Sequence, residues 1–221
     1  MANYQIISLE PLKRRRNWHE IIFSGMEPLA IDDETIYRFS LKAGATVSES
    51  DYKKIKDAAD LAYLKDKGMK IISRRMISER DLRRKLSAER RPANIRDAAV
   101  ESLLKYGFID DASYAAAYIR SQIAQGPKSK LYLKKKLWQR GIAAETAEKA
   151  IAAELDGYDI KESVRELARK KYKSLSRQSP EKARVKLINF LKGKGFGWEI
   201  IKYAIADLIV DDMKGNFEEF D

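Results

Sequence analysis

A chain of 221 residues, 44% hydrophobic and 35% charged, has room for one elongated domain or two to three small ones, and is too apolar for wholesale disorder. It has no cysteine and a single histidine, His19, which excludes disulfides, thiol chemistry and a zinc site built from Cys and His; nothing in it calls for a metal or a cofactor. No apolar run approaches the roughly 20 residues of a membrane span and MANYQIISLE lacks a signal-peptide core, so the expected setting is the cytoplasm with no membrane partner.

In chain order, the first 47 residues differ in texture from the rest. YQIISLEPL (4–12) and WHEIIFSG (18–25) are short apolar, β-branched runs separated by the basic turn KRRRN. PLAI (28–31) is a third run, DDETIYRFSL predicts a short helix, and KAGAT reads as a turn. The expectation over 1–47 is a small segment of two or three strands with one helix.

From Ser48 onward the pattern is helical. Ser48 with Asp51, and Ser78 with Asp81, have the spacing at which a serine caps a helix and an acid follows in its first turn. The helix opened at Ser48 should run to about Ile72. Gly126–Pro127 marks one helix end and the next start, and Ser179–Pro180 puts a cap before a proline at the first helical position. Gly107, Gly141 and Gly195 sit where helix-terminating glycines belong.

The helical part repeats itself. With Leu86, Leu137 and Leu191 aligned, Leu82, Leu133 and Leu187 stand four residues before. Ile95, Thr146 and Ile200 follow nine after, Val100, Ile151 and Ile205 fourteen after, and Leu104, Leu155 and Ile209 eighteen after. Only Thr146 breaks the apolar pattern, so the chain reads as three tandem three-helix repeats over 48–108, 109–156 and 157–210, with an acidic tail at 211–221. Each repeat is small, and stacked neighbours predict a mainly α, elongated, curved body with a small β-containing segment at its N-terminus.

Charge is distributed to match. The net charge of +11 points to an anionic partner, most commonly nucleic acid. Residues 74–91 hold eight Lys/Arg against three acids, and 128–140 hold six against none; from Asp207 to Asp221 there are six acids and one lysine. In LKKKLWQRG (133–141), helical spacing buries Leu133 and Leu137 and fans Lys134, Lys135 and Lys136 around the exposed side. The equivalent helix of the first repeat carries Arg83, Arg84 and Lys85, with Arg90 nearby, and that of the third carries Lys192 and Lys194. Arg140 closes the middle helix. A solvated helix face explains any one cluster; recurrence at equivalent positions favours phosphate binding, in which each cation releases counterions. Phe196 and Trp198 read as core or helix-end packing, and Trp138, beside Leu137, is open between core and base stacking. Asp110 and Asp111 read as helix capping rather than as a metal or acid–base pair. No phosphate loop, dinucleotide fingerprint or nucleophile elbow is present, so there are no catalytic candidates. The acidic tail either solvates itself or folds over the basic face.

SRRMISERDLRRKL (73–86), YGFIDDASYAAAYI (106–119), QGPKSKLYLKKKLWQRGI (125–142) and LINFLKGKGF (187–196), in this order and spacing, resemble the RecX family of bacterial regulators of the RecA recombinase. Arg90-Arg91-Pro92 departs from the Gly-Ile and Gly-Phe of the later repeats, so the first repeat must turn differently. The resemblance implies a non-enzymatic, monomeric regulator. It would bind the RecA filament on single-stranded DNA and inhibit filament extension, ATP hydrolysis and strand exchange, so modulating recombination and repair. A nonspecific nucleic-acid binder without a recombinase partner, and a scaffold for an acidic protein, are the alternatives that the residues alone leave open.

Overall fold

The computed structural model describes residues 3–215, which divide into two compact units between Asp110 and Asp111. The first unit opens with β1 (Asn3–Pro11), β2 (Trp18–Phe23), β3 (Leu29–Asp32), α1 (Asp33–Arg38) and β4 (Thr46–Ser48). The strands form one antiparallel sheet in the order β3-β2-β1-β4. The fourth strand goes beyond the sequence expectation. It pairs Thr46, Val47 and Ser48 with Gln5, Tyr4 and Asn3, a long-range pairing that three residues after a turn do not announce. The pairing shifts register between Ile6 and Ser8, and strand alternation points Ile7 outward, 61% exposed, while Ile6 is fully buried.

α2 (Glu49–Ile72) follows at once, capped by Ser48, whose Oγ accepts from the Asp51 amide at 3.1 Å. This helix serves two cores. Ile55 and Ala59 pack beneath the sheet with Ile6, Ile21, Phe23 and Ile31, whereas Leu64 belongs with Leu82, Leu86, Val100 and Leu103 of α3 (Glu79–Leu86) and α4 (Ala93–Lys105). Its polar side is tied down as well. The Arg15 guanidinium lies 3.7 Å from the Trp18 ring and 5.1 Å from that of Tyr63, and pairs with Asp66. The Tyr63 hydroxyl donates to Glu89 at 3.1 Å, and Lys67 pairs with the same carboxylate. Sheet, α2 and the turn after α3 are thus held in one polar cluster.

The second unit repeats the three-helix pattern twice, with α5 (Asp111–Ala124), α6 (Lys130–Gln139) and α7 (Ala144–Glu154), then α8 (Ile160–Lys173), α9 (Pro180–Gly193) and α10 (Trp198–Gly215). The six leucines aligned across the repeats, Leu82 and Leu86, Leu133 and Leu137, Leu187 and Leu191, are at most 1% exposed, and Val100, Ile151 and Ile205 are at most 3% exposed. Each such side chain stabilises its unit by roughly 1.5–3 kcal/mol through removal from water. Thr146, the exception to the pattern, is half-buried beside the buried Ala147.

The middle helices end as the glycines suggest in two repeats and differently in the third. After α6 and α9, Gly141 and Gly195 take φ of 82° and 77°, and the amides of Ile142 and Phe196 donate back to Leu137 and Leu191. After α3 the glycine is replaced by Arg90; the Glu89 amide donates to Leu86 at 3.1 Å as Arg140 and Lys194 do to Leu137 and Leu191, but the Arg91 amide donates to the Glu89 carbonyl at 2.7 Å rather than back to Leu86. Ser129 joins the two triplets of the second unit: its Oγ caps α6 through the Tyr132 amide at 3.0 Å and donates to the Lys194 carbonyl at 3.1 Å. Among the described residues no helix is long and apolar enough to cross a membrane. α10 runs to Gly215, and what the acidic tail expected over 211–221 does with its charges lies outside the described residues.

Candidate nucleic-acid interface

α3, α6 and α9 each bury two leucines on one side, which forces the cations between them outward in α3 and α6; in α9 the residues between are Ile188, Asn189 and Phe190, and the cations Lys192 and Lys194 follow the second leucine. The structure then separates those cations by what they already touch. Arg83 bonds Glu79 and Asp97, each at 2.7 Å, and the Glu79 hydrogen bond holds its guanidinium above the usual arginine range. Lys134 bonds Glu148 at 2.6 Å, and that hydrogen bond lowers the Glu148 carboxyl below its ordinary value. Arg83–Asp97 and Lys134–Glu148 occupy equivalent positions in their repeats, both tying the middle helix to the third. Arg84 pairs with Asp81 at 2.9 Å yet stays 75% exposed.

Arg140 is half-buried: its guanidinium lies 4.1 Å from the Tyr118 ring and donates to the Lys136 carbonyl at 3.2 Å. Lys136 leans over Tyr132 at 5.7 Å, Lys194 over Phe190 at 4.9 Å and Lys192 over Trp198 at 5.8 Å. Lys85, Arg90, Lys135 and Lys192 are exposed and have no carboxylate partner among the described residues. Of the candidate cations, the most available to an anionic ligand are therefore these four with Arg84, drawn from all three repeats. Lys128, half-buried just before the N-cap of α6, has its ammonium pushed below the ordinary lysine value by burial and by the charge of Lys194.

Two aromatic assignments divide. Phe196 is 5% exposed and part of the third repeat's core, whereas Trp198 is 53% exposed at the first turn of α10, its indole beside Lys192 rather than in the core. Trp138 is 70% exposed. Asp111 is the first residue of α5, and no group of three or more potential metal ligands occurs among the described residues. Sequence reasoning missed Leu131, the second residue of α6 and 68% exposed; the signal available was its helical phase opposite Leu133.

Known proteins supply the context for this arrangement. The family model for the RecX second three-helix domain matches residues 110–151, and that for the third three-helix domain matches residues 158–205. "Regulatory protein RecX" of Clostridioides difficile strain 630 is 29% identical over 216 residues, covering 98% of both chains. The proteins of that name from Clostridium botulinum strain Eklund 17B and Streptococcus sanguinis strain SK36 are 27% and 26% identical, over 98% and 96% of this chain and 99% and 81% of theirs. In fold, the chain is similar to a crystal structure of regulatory protein RecX, at a TM-score of 0.72 and 23% identity over 90% of this chain and 97% of that one. It is also similar to RecX from Lactobacillus salivarius, at a TM-score of 0.61 and 24% identity over 69% of this chain and 99% of that one. With tandem domain matches in register with the repeats and relatives of one name along nearly the whole length, the chain is similar to the RecX family in domain order, sequence and fold.

Proposed function

We propose that this chain is a regulator of the RecA recombinase. It binds the filament that RecA forms on single-stranded DNA and inhibits filament extension, ATP hydrolysis and strand exchange, without chemistry of its own. The observation that carries this reading is the recurrence of exposed, carboxylate-free cations on equivalent helices: Lys85 and Arg90 by α3, Lys135 on α6 and Lys192 on α9. Several weak interactions on one chain add up to tight binding only if the target repeats as well, as a filament of identical protomers on a phosphate backbone does. The relatives' shared name, regulatory protein, supports the regulatory role. Among the candidate cations, Arg83 and Lys134 work partly within the fold, so Arg84, Lys85, Arg90, Lys135, Lys192 and Lys194 take the larger share of the binding, with Lys136 and Arg140 at the margin.

The test is co-sedimentation with RecA-coated and with bare single-stranded DNA at matched phosphate concentration and fixed salt. Preference for the coated strand supports a filament regulator. Equal binding to both, or loss of binding on coating, identifies a plain nucleic-acid binder instead.

A further inference from the structure

The exposed side of α6 differs in chemistry from the same side of its two counterparts. At 100° per residue, Leu131, Lys134, Lys135 and Trp138 fall within one stripe, opposite Leu133 and Leu137. Two large apolar side chains, 68% and 70% exposed, thus stand two turns apart with two lysines between them, of which Lys134 is paired with Glu148. The equivalent stripe of α3 is Arg80, Arg83, Arg84 and Ser87, with no apolar member, and that of α9 is Val185, Ile188, Asn189 and Lys192, with a single cation. Phosphate binding accounts for the exposed Arg84 of the α3 stripe, with Lys85 beside it, while Arg83 is held by Glu79 and Asp97. It gives no reason for α6 to keep a leucine and a tryptophan in water at i and i+7, the spacing with which a helix anchors in a groove of another protein. Tryptophan is also the residue most enriched at the energetic centres of protein interfaces.

A second observation lies alongside. Leu131 lines a groove of about 370 Å³ within the second unit, together with Leu155, Tyr158, Ile160 and Ile200 and with Lys128 and Lys130. The stripe therefore runs from Trp138 into an apolar recess bordered by lysines, a shape that accepts an apolar side chain flanked by carboxylates.

From this chemistry we infer that α6 is a protein-docking helix: the Leu131–Lys135–Trp138 stripe and the adjoining groove receive an acidic segment of a protein partner carrying an apolar side chain, while the arginine-rich α3 stripe takes phosphate. The inference rests on the proposed filament reading for the partner's identity as the DNA-coating protomer, and it divides the labour between the two helices. Acidic rather than neutral is the committed choice because Lys128, Lys130 and Lys135 surround the apolar anchors, and Lys128 is already disfavoured as a cation by burial and by Lys194.

The experiment compares the full-length wild-type chain with Leu131→Ala/Trp138→Ala, each single variant, and Arg84→Ala/Lys85→Ala. Each is titrated against fluorescein-labelled single-stranded DNA, bare and coated with the recombinase of the same organism, at fixed salt, with thermal melts as a folding control. Both α6 side chains are mostly in water, so melting temperatures should stay within a few degrees of wild type. The expected result is at least a tenfold loss on the coated strand and less than a twofold change on the bare strand for the α6 double variant, with single variants in between. Arg84→Ala/Lys85→Ala should lose affinity on both strands. Equal loss on bare DNA by the α6 variants, or coated-strand binding like wild type, overturns the docking role while leaving the regulator reading standing. A wild-type chain that ignores the coated strand overturns the regulator reading, and the docking role with it.

Discussion

Arg91 pairs with Asp60 at the position where the second and third repeats bury Ile142 and Phe196. Asp60 is only 2% exposed; burial pushes its carboxyl up, and Arg91 is the main charge pulling it back. The first repeat thus replaces a core hydrophobe with an ion pair reaching α2. This accounts for the Arg90-Arg91-Pro92 departure that the sequence displays without explaining.

Truncating Arg91 to alanine should leave Asp60 without its counter-ion, at a loss of about 3 kcal/mol, the low end for breaking a buried pair because the arginine side chain is 30% exposed. The double change Asp60→Leu/Arg91→Ile, which restores the apolar chemistry of the other repeats, should be closer to wild type than either single variant. Urea unfolding of the three variants reads this directly.

The same cluster predicts an acid limit. The hydrogen bond from Lys67 lowers the Glu89 carboxyl; burial raises that of Asp66, but hydrogen bonds from Lys70 and Arg15 outweigh it, so it too is lowered. Carboxyls lowered in the folded state contribute stability that is fully present above their ordinary values of 4.5 and 3.8, and that is lost as pH falls through the lower folded values. Thermal melts between pH 7 and 3 should show the loss confined to the acid end, and Glu89→Gln should flatten that slope.

Gly195→Ala should be more damaging than Gly107→Ala. Both residues have positive φ, 77° and 71°, which costs any other residue roughly 1–2 kcal/mol. At Gly107 an added Cβ meets nothing within 4 Å, whereas at Gly195 it would lie 2.8 Å from the Ser129 hydroxyl that caps α6 and holds the Lys194 carbonyl. Differential scanning calorimetry should rank the melting temperatures as wild type, Gly107→Ala, then Gly195→Ala.

Charge removal should separate binding from folding. Alanine at Lys134, Lys135 and Lys136 together should weaken filament binding while shifting stability by less than about 1 kcal/mol, since the one ion pair removed, Lys134–Glu148, is a surface pair. Removing Arg84, Lys85 and Arg90 should lower the slope of log affinity for bare single-stranded DNA against log salt by about 2, roughly 0.7 for each phosphate no longer neutralised. An unchanged slope would take α3 off the phosphate path.

Local chemistry was legible in the residues where it acts over a few positions. Ser48 and Ser78 cap helices because the donor they satisfy is three residues away, whereas Ser179 holds the N-cap position before Pro180 without a side-chain capping bond; Gly107, Gly141 and Gly195 take positive φ because a helix must stop there. What stayed hidden depends on partners distant in the chain. β4 exists because Tyr4 is beside Val47, and Arg83 and Lys134 are engaged because Asp97 and Glu148 come round on the following helix. Phe196 and Trp198, both read as core or helix-end packing, divide between those two: Phe196 is in the core, and Trp198 is at the start of α10, 53% exposed beside Lys192.

The central claim is tested most directly by RecA's DNA-dependent ATP hydrolysis on pre-coated single-stranded DNA, with this protein added far below the RecA concentration and salt held fixed. Strong inhibition at that substoichiometric dose is the predicted result, because a chain acting on filament ends or grooves silences many protomers at once. Inhibition that appears only when the protein saturates the DNA, or none at any dose, would contradict it.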